Sequence, residues 1–305
     1  MKKSYAIARY EQAAALLPPG RRRAAMQVPD WQKAAAEELR LRVGQAMTIL
    51  LPEGEIMAER HGDAVTQTDL EQLCDAVTGY SRYAFSETIR RGYLSAEGGF
   101  RIGLCGTAVV RNGANTEMRD YSSAVIRIGR EKIGLADNLA AQIFEGGHFV
   151  SSLILAPPGL GKTTLLRDMV RLLSDGSEDV SAHRVALADE RGEVAAMYRG
   201  QPQLSVGCHT DVLDACPKAV AIPMLLRGVN PQIIAVDEIT SGEDLIAMEQ
   251  AANCGVKLLA TIHAADRREL EQKPLFHRLL EMRVFEKTIT IQKCGGARTY
   301  QTERL

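Results

Sequence analysis

Residues 151–173 combine residue types that bind phosphate groups. Residues 152–155 are a short apolar run, which predicts a buried strand, and apolar residues recur at helical spacing after Thr163. Residues 156–161 are rich in glycine and proline and can continue neither element. The loop ends in Gly161-Lys162-Thr163, as in the phosphate-binding pattern G-x-x-x-x-G-K-S/T. Because backbone N–H groups at the start of a helix bind anions, this strand, loop and helix predict a nucleotide phosphate site.

The loop residues have separate predicted roles. Lys162 should reach the β- and γ-phosphates, and the Thr163 hydroxyl should bind Mg²⁺. Ala156 stands where the pattern has its first glycine, and it is interpreted as a variant because it adds only a methyl group. The predicted phosphate-binding residues are Ala156, Pro157, Pro158, Gly159, Leu160, Gly161, Lys162, Thr163 and Thr164.

Two carboxylates follow a second apolar run, residues 233–236, which also predicts a buried strand. Beside a phosphate loop, a carboxylate such as Asp237 can hold Mg²⁺, usually through water. The next residue, Glu238, can then orient and deprotonate an attacking water. The alternative is an ordinary strand end with a solvated Asp-Glu pair. The phosphate loop upstream favours the catalytic interpretation.

Composition limits the classes of partner. The chain has 305 residues, of which 46% are hydrophobic and 25% charged, and its net charge of -1 gives no global attraction to nucleic acid or acidic membranes. It lacks an apolar run of about 18 residues, so no transmembrane segment is expected. The six cysteines include no C-x-x-C pair, which favours a reducing, cytoplasmic compartment, with peripheral membrane association left open. Cys208, His209 and Cys216 are too sparse to predict a metal site.

Two domains are expected, residues 1–134 and 135–305. The first is predicted to be a smaller α+β domain and the second a mostly parallel sheet with helices on both faces, because strands and helices alternate there. A helix is predicted over 135–144, a solvated turn at Arg21–Arg23 after Pro-Pro-Gly, and a turn at Asn112–Gly113. Strands are predicted at 37–43, 47–51, 100–104, 124–128, 184–188, 233–236, 257–261 and 284–291.

Two further stretches resemble the secretion ATPase superfamily, which drives bacterial secretion and pilus machines. Residues 188–193, Ala-Asp-Glu-Arg-Gly-Glu, look like its aspartate box, and residues 260–264, Ala-Thr-Ile-His-Ala, look like its histidine box. Within the superfamily, residues 207–218 and several N-terminal stretches, such as 98–106, are similar to the stage III sporulation protein AA family. The resemblance covers nearly the whole chain.

The resemblance implies a RecA-like, Mg²⁺-dependent ATPase that binds ATP and powers the channel between mother cell and forespore during sporulation. It implies a hexameric ring in the mother-cell cytoplasm, held at the membrane by channel proteins. His263 would contact the γ-phosphate, and Glu193, or Asp189 and Glu190, would support the metal or water shell. Arginines could stabilise charge in the transition state, although surface solvation is the alternative for each. The candidates are Arg127, Arg130 and Arg101, acting on a neighbouring subunit, and Arg227 within its own.

Two other classes stay open from the residues alone. A RecA-like motor that translocates nucleic acid would usually carry a basic stripe or stacking aromatic residues, whereas this chain is nearly neutral and has one tryptophan. A scaffold that binds ATP only to assemble would not need Glu238 or Asp237.

Overall fold

The computed structural model describes residues 4–58, 63–111, 113–294 and 297–305. They form two compact units, one from Met1–Arg130 with Ala196–Gln203 and the other from Glu131–Ala195 with Leu204–Leu305. No local pattern in the sequence signals that 196–203 pack with the first unit. The boundary near residue 134 stays a prediction, and half of the predicted turn at Asn112–Gly113 lies outside the described residues.

The first unit contains an antiparallel sheet in the order β3-β2-β1-β6-β5-β4. Part-exposed and buried residues alternate along β1, as the charged-apolar alternation predicted. Leu39 faces Ile49 and Ile126 on the neighbouring strands, and all three are fully buried. The strands are β1 (Glu38–Arg42), β2 (Thr48–Leu51), β3 (Gly54–Met57), β4 (Tyr93–Ala96), β5 (Phe100–Arg111) and β6 (Ala114–Arg127).

Short helices pack with this sheet, and one of them corrects a prediction. Arg21–Arg23 were predicted to form a solvated turn, but they lie in α2, because Pro19 suits the first turn of a helix and starts a new one. Arg21 donates to the Ala64 carbonyl (2.7 Å) and to the Asp69 carboxylate (2.9 Å). The helices are α1 (Tyr5–Ala15), α2 (Pro19–Met26), α3 (Asp30–Ala35), α4 (Gln67–Thr78) and α5 (Ser86–Arg90).

The second unit contains a sheet in the order β11-β10-β12-β13-β9-β14-β15, parallel except for β15. Every residue of β9, β10 and β12 is buried, which confirms the prediction that both faces of this sheet are covered by other elements. The unit's strands are β7 (Phe144–Glu145), β8 (His148–Phe149), β9 (Ser152–Leu155), β10 (Val185–Asp189), β11 (Thr210–Asp214), β12 (Ile233–Val236), β13 (Lys257–Ile262), β14 (Lys287–Cys294) and β15 (Ala297–Arg304).

Helices pack against this sheet. Apolar residues of α8 and α9 share a core with alternate residues of β9, β10, β12 and β13, while α7 packs against β9, β10, β11 and β13. Because the strands are parallel, the residues that follow β9, β10, β12 and β13 meet at one edge. The helices are α6 (Ala140–Ile143), α7 (Lys162–Asp175), α8 (Lys218–Gly228), α9 (Gly242–Asn253), α10 (Arg267–Gln272) and α11 (Pro274–Glu281).

Two predictions for the second unit were wrong in detail. The helix predicted over 135–144 is only a 3₁₀ turn at Asp137–Leu139 followed by α6. The strand predicted over 284–291 does not end the fold, because β14 continues to Cys294 and pairs with β15 in an antiparallel hairpin. This hairpin extends the sheet beyond β9, on the side of the phosphate loop away from β13.

Candidate active site

The loop between β9 and α7 lies at the carboxyl edge of the parallel sheet. Gly159 and Gly161 have φ values of +77° and +97°, which glycine adopts without the strain that a side chain would add. Ala156 is fully buried but is not among the residues with positive φ, so alanine fits there without backbone strain. Because α7 begins at Lys162, the unpaired N–H groups of its first turn face the loop, as an anion site requires.

Lys162 is buried at the mouth of the loop. Its Nζ donates to the carbonyl oxygens of Ala156 (2.8 Å) and Pro157 (3.0 Å) and lies 2.7 Å from His263 Nδ1. Burial lowers the pKa of the Lys162 ammonium, and the nearby carboxylates of Glu238 and Asp237 oppose that change. The side chain therefore carries a poorly hydrated cation whose protein partners a phosphate oxygen can replace.

Asp237 follows β12 and contacts both the first turn of α7 and strand β13. Its Oδ2 accepts a hydrogen bond from Thr163 Oγ1 (3.1 Å) and its Oδ1 accepts one from Thr261 Oγ1 (2.8 Å). Burial raises the pKa of the Asp237 carboxyl, the two hydroxyl donors oppose this, and the charges of Glu193 and Glu238 add to it. Thr163 and Asp237 thus place two hard oxygen atoms side by side, a donor set that suits Mg²⁺ together with phosphate oxygens and water.

Glu238 lies in a left-handed backbone conformation, with φ of +49°. Its N–H donates to Thr261 Oγ1 (2.8 Å), which supports this sparsely populated geometry. Its carboxylate contacts His263 Nε2 (3.2 Å) on one oxygen and accepts from Arg191 Nη1 (2.9 Å) on the other. A charged Lys162 can only donate, so Nδ1 of His263 would accept from it, and a neutral ring would then carry its hydrogen on Nε2, toward Glu238. A continuous chain of polar contacts thus joins Lys162, His263, Glu238 and Arg191.

Asp189 of the aspartate box is the last residue of β10, and Glu193 lies in the loop after it. Asp189 is almost fully buried, and its carboxylate accepts from the N–H groups of Glu193 (3.0 Å), Val194 (3.1 Å) and Ala195 (2.8 Å). Burial raises the pKa of the Asp189 carboxyl, and these N–H donors oppose that rise. Asp189 therefore shapes the loop that carries Glu193, whose charge acts on Asp237. The predicted part of Glu193 in the metal or water shell stays a prediction.

Glu190 takes part in a separate contact. Its carboxylate pairs with Lys218, which is buried at the start of α8. Removing one partner would leave the other charge uncompensated, so this contact ties the loop after β10 to α8. The structure places Glu190 in a structural ion pair, and a part for it in the metal shell stays a prediction.

The predicted arginines lie in both units. Arg127 is exposed at the end of β6, and Arg130 donates from Nη2 to the Ala36 carbonyl (2.7 Å). Burial lowers the pKa of the Arg130 guanidinium. Arg101 lies over the Tyr93 ring at 4.0 Å, all within the first unit, whereas Arg227 is exposed on α8 and donates to the Pro223 carbonyl (3.1 Å). None of these contacts tests an action on a neighbour's nucleotide, which stays a prediction.

The Cys208–His209 pair has local partners. Cys208 Sγ lies 3.2 Å from His209 Nδ1, and the same nitrogen lies 2.8 Å from the Ser174 carbonyl oxygen. Cys208 is exposed, and its N–H donates to Asp175. These contacts fix the turn before β11 against the end of α7.

Comparison with known families identifies the family of this chain. Residues 8–302 match the sequence model of a family described as Sporulation stage III, protein AA. The chain belongs to this family. A curated relative, stage III sporulation protein AA of Bacillus subtilis strain 168, is 34% identical over 286 residues, which are 94% of this chain and 92% of the relative. The predicted family membership is confirmed.

Solved structures confirm the predicted fold class. The Legionella pneumophila ATPase DotB superposes with a TM-score of 0.59 at 16% identity, covering 90% of this chain and 79% of DotB. The pilus retraction motor PilT, solved with bound ADP, gives 0.60 at 17% identity, covering 88% of this chain and 79% of PilT. At these identities the likeness shows the fold of secretion ATPases. Among the described helices, none combines the length and apolar character needed to span a bilayer.

Three polar residues at the site were not assigned roles from the sequence. Thr261 and Arg191 stand inside the histidine and aspartate boxes, so their positions were visible, but their contacts with Asp237 and Glu238 were not. Arg298 lies on β15, and a Cβ built on Gly161 would lie 3.3 Å from its Cζ. No motif marks Arg298 itself, and the hairpin that carries it was not predicted, although Gly295-Gly296 between the two runs is a typical two-residue hairpin connection.

Proposed function

We propose that the protein is a Mg²⁺-dependent ATPase that acts as the motor of a secretion-like channel complex in spore formation. One observation carries this proposal. Lys162, Thr163, Asp237, Glu238 and His263 come from three separate segments and meet within hydrogen-bond distance at the phosphate loop. This combination of one cation, two metal-type oxygens and a second carboxylate matches what phosphoryl transfer to water requires.

ATP binding would exchange contacts that already exist in the site. Backbone N–H groups of residues 156–164 would hold the phosphates, and Lys162 would leave a loop carbonyl for a β- or γ-phosphate oxygen. Thr163, and Asp237 through water, would hold Mg²⁺, which neutralises the charge that develops on the phosphate oxygens. These side chains position the triphosphate before any bond breaks.

Hydrolysis would use the carboxylate of Glu238 as the group that orients water and accepts its proton. Glu238 contacts His263 through one carboxylate oxygen and Arg191 through the other, and each oxygen keeps a second acceptor position for a water. His263 bridges Lys162 and Glu238, which places it to sense whether the γ-phosphate is present. In this scheme the water oxygen bonds to the γ-phosphorus, the bond to the ADP oxygen breaks, and the water proton goes to Glu238.

The cellular role rests on the family. We propose a hexameric ring in the mother-cell cytoplasm, attached through partner proteins to the channel in the membrane. Arg127, Arg130 or Arg101 would reach a neighbour's nucleotide in that ring. A ring that forms only with ATP and Mg²⁺ would appear as a rise in solution mass by light scattering.

Steady-state phosphate release tests the chemistry. Glu238→Gln keeps the shape of the side chain, and it should lower the rate about 10²–10⁴-fold, the usual contribution of a general base. Lys162→Ala should abolish both turnover and ATP binding. Glu243→Gln, an exposed residue on α9, and Lys257→Ala, at the opposite edge of the sheet, are matched controls that should retain activity. Unchanged rates in both site variants would show that the site assignment is wrong.

The same measurements separate the other two classes. A wild-type protein that binds ATP and assembles, yet releases no phosphate with Glu238 intact, would be a scaffold. A rate that single-stranded or duplex DNA raises several-fold at physiological salt would identify a nucleic-acid motor.

A further inference from the structure

The two sides of the phosphate loop carry opposite charge. On one side β13 and then β12 bring His263, Asp237 and Glu238, which we call the acidic flank. On the other side the hairpin of β14 and β15 lies next to β9, and its end at the carboxyl edge carries Lys293 and Arg298. We call this end, with Tyr300, the hairpin flank.

A cavity of about 520 Å³ lies between the loop and the hairpin flank. Three cations and one half-buried tyrosine line it, and no carboxylate is among its described lining residues. Such a lining suits an anionic ligand that also presents a flat, partly apolar surface. The lining residues are Lys132, Leu135, Gly159, Leu160, Lys293, Ala297, Arg298 and Tyr300.

Arg298 approaches the loop at the residue before α7. A Cβ on Gly161 would lie 3.3 Å from Cζ and 3.5 Å from Nε of Arg298, so the guanidinium lies against the glycine. The planar guanidinium can donate two parallel hydrogen bonds to a phosphate group. It is therefore placed to add a side-chain donor to the backbone N–H groups of the loop.

The strand order places the acidic flank and the hairpin flank on opposite sides of the loop, which bears on how a nucleotide would lie. If the terminal phosphate meets Lys162 and the acidic flank, as the proposed function requires, the remainder of the molecule extends away from β13. The next strands in that direction are β9 and then the hairpin. A cavity beside Gly159 and Leu160 lies on that side of the loop.

We propose that the hairpin flank is the nucleoside side of the site. Arg298 binds the phosphate nearest the ribose, and Tyr300 borders the ribose and base within the cavity. This inference rests on the proposed function, because it takes the acidic flank as the position of the terminal phosphate. It makes the C-terminal hairpin a part of the nucleotide site, contributed by the same subunit.

Equilibrium binding of ADP tests the role of Arg298. Arg298→Ala should weaken ADP binding about 10-fold or more, the scale of one hydrogen bond between charged groups. Arg304→Ala is the matched control, because Arg304 lies on the same strand at the opposite edge of the sheet and should keep wild-type affinity. Equal affinities in the two variants would overturn the proposal.

Inorganic tripolyphosphate separates the phosphate from the nucleoside contacts. Tyr300→Ala should weaken ATP binding while leaving tripolyphosphate binding unchanged, whereas Arg298→Ala should weaken both. Equal losses for ATP and tripolyphosphate in Tyr300→Ala would show that the change disturbs the loop rather than a nucleoside contact. Thermal melting of each variant checks that the fold is kept.

Photolabelling with 8-azido-ADP locates the base directly. The labelled peptide should contain residues from 293–300 or from 132–135, and label in any other peptide would contradict the placement. Wild-type protein that binds no ADP would instead refute the proposed function itself. Wild-type binding that Lys162→Ala abolishes, with no loss in Arg298→Ala, would refute only this inference.

Discussion

The acidic flank and the hairpin flank border the same loop but are built differently. The acidic flank follows two strands within the sheet, and its carboxylates are held by hydroxyl donors and ion pairs. The hairpin flank lies at the edge of the sheet, where Lys293 and Arg298 are exposed. A reacting water must be positioned to within a fraction of an ångström, which requires fixed neighbours, whereas holding a polyanion by charge does not. The difference indicates that one flank serves the reaction and the other serves affinity.

Asp237→Asn should give the largest change among the variants that follow. It removes a charge while keeping the hydrogen-bond acceptor for Thr261, so the fold should survive. Loss of a carboxylate at the metal position is expected to lower Mg²⁺ affinity about 10–100-fold. The rate of phosphate release at a fixed Mg²⁺ concentration should fall as a result. The measurement is phosphate release against Mg²⁺ concentration, with the exposed Asp211→Asn as control. Unchanged Mg²⁺ dependence would remove Asp237 from the metal site.

Gly161→Ala should affect both flanks at once. Its φ of +97° is strained for alanine, and the added Cβ would press on Arg298. The free loop would relax out of this conformation, and restoring it on binding at a cost of about 1–2 kcal/mol would weaken ATP and ADP binding roughly 10-fold. Gly242→Ala, where the added Cβ meets no atom within 4 Å, is the control. Wild-type affinity in Gly161→Ala would mean that the loop does not hold the phosphates.

Thr261→Val should damage the acidic flank alone. It removes the donor to Asp237 and the acceptor for the Glu238 N–H while nearly keeping the side-chain volume. The free energy of unfolding should fall by about 1–3 kcal/mol, and turnover should fall while ADP affinity stays near wild type. Thr261→Ser keeps the hydroxyl and should recover most of both. Denaturant unfolding and phosphate release check this, and a full-activity valine variant would contradict it.

Lys293→Ala should give the smallest change, confined to the hairpin flank. An exposed charge near the ligand contributes little, so ADP binding should weaken about 2–3-fold at low salt. The difference should disappear near 0.5 M salt, where the screening length is only a few ångströms. Lys293→Arg keeps the charge and serves as the control. A loss of ADP affinity that does not depend on salt would indicate that Lys293 contacts the ligand directly in a buried position. The hairpin flank would then be more rigid than its exposure suggests.

Local patterns predicted much of the second unit. The apolar runs of β9 and β12 and the helical spacing of α7 were correct because each is decided by neighbouring residues. The turn predicted after Pro-Pro-Gly was wrong. Proline is compatible with the first turn of a helix as well as with a turn, and α2 begins at Pro19. The hairpin was missed because β15 has an exposed, polar pattern without the alternation of a half-buried strand. The signal that could have revealed its pairing with β14 is the Gly295-Gly296 dipeptide between the two runs, a typical two-residue hairpin connection.

The sequence alone determined the chemistry of the loop, because a strand, a glycine-rich turn and Gly-Lys-Thr within about two dozen residues suffice to build an anion site. It also placed Asp237 and Glu238 at the end of a buried strand. Only the tertiary structure showed that Thr261 contacts Asp237 and that Arg191 contacts Glu238. It also showed that Arg298 lies beside Gly161. The physical reason is that hydrogen bonds and charge act over a few ångströms, and strand order brings together residues that lie far apart along the chain.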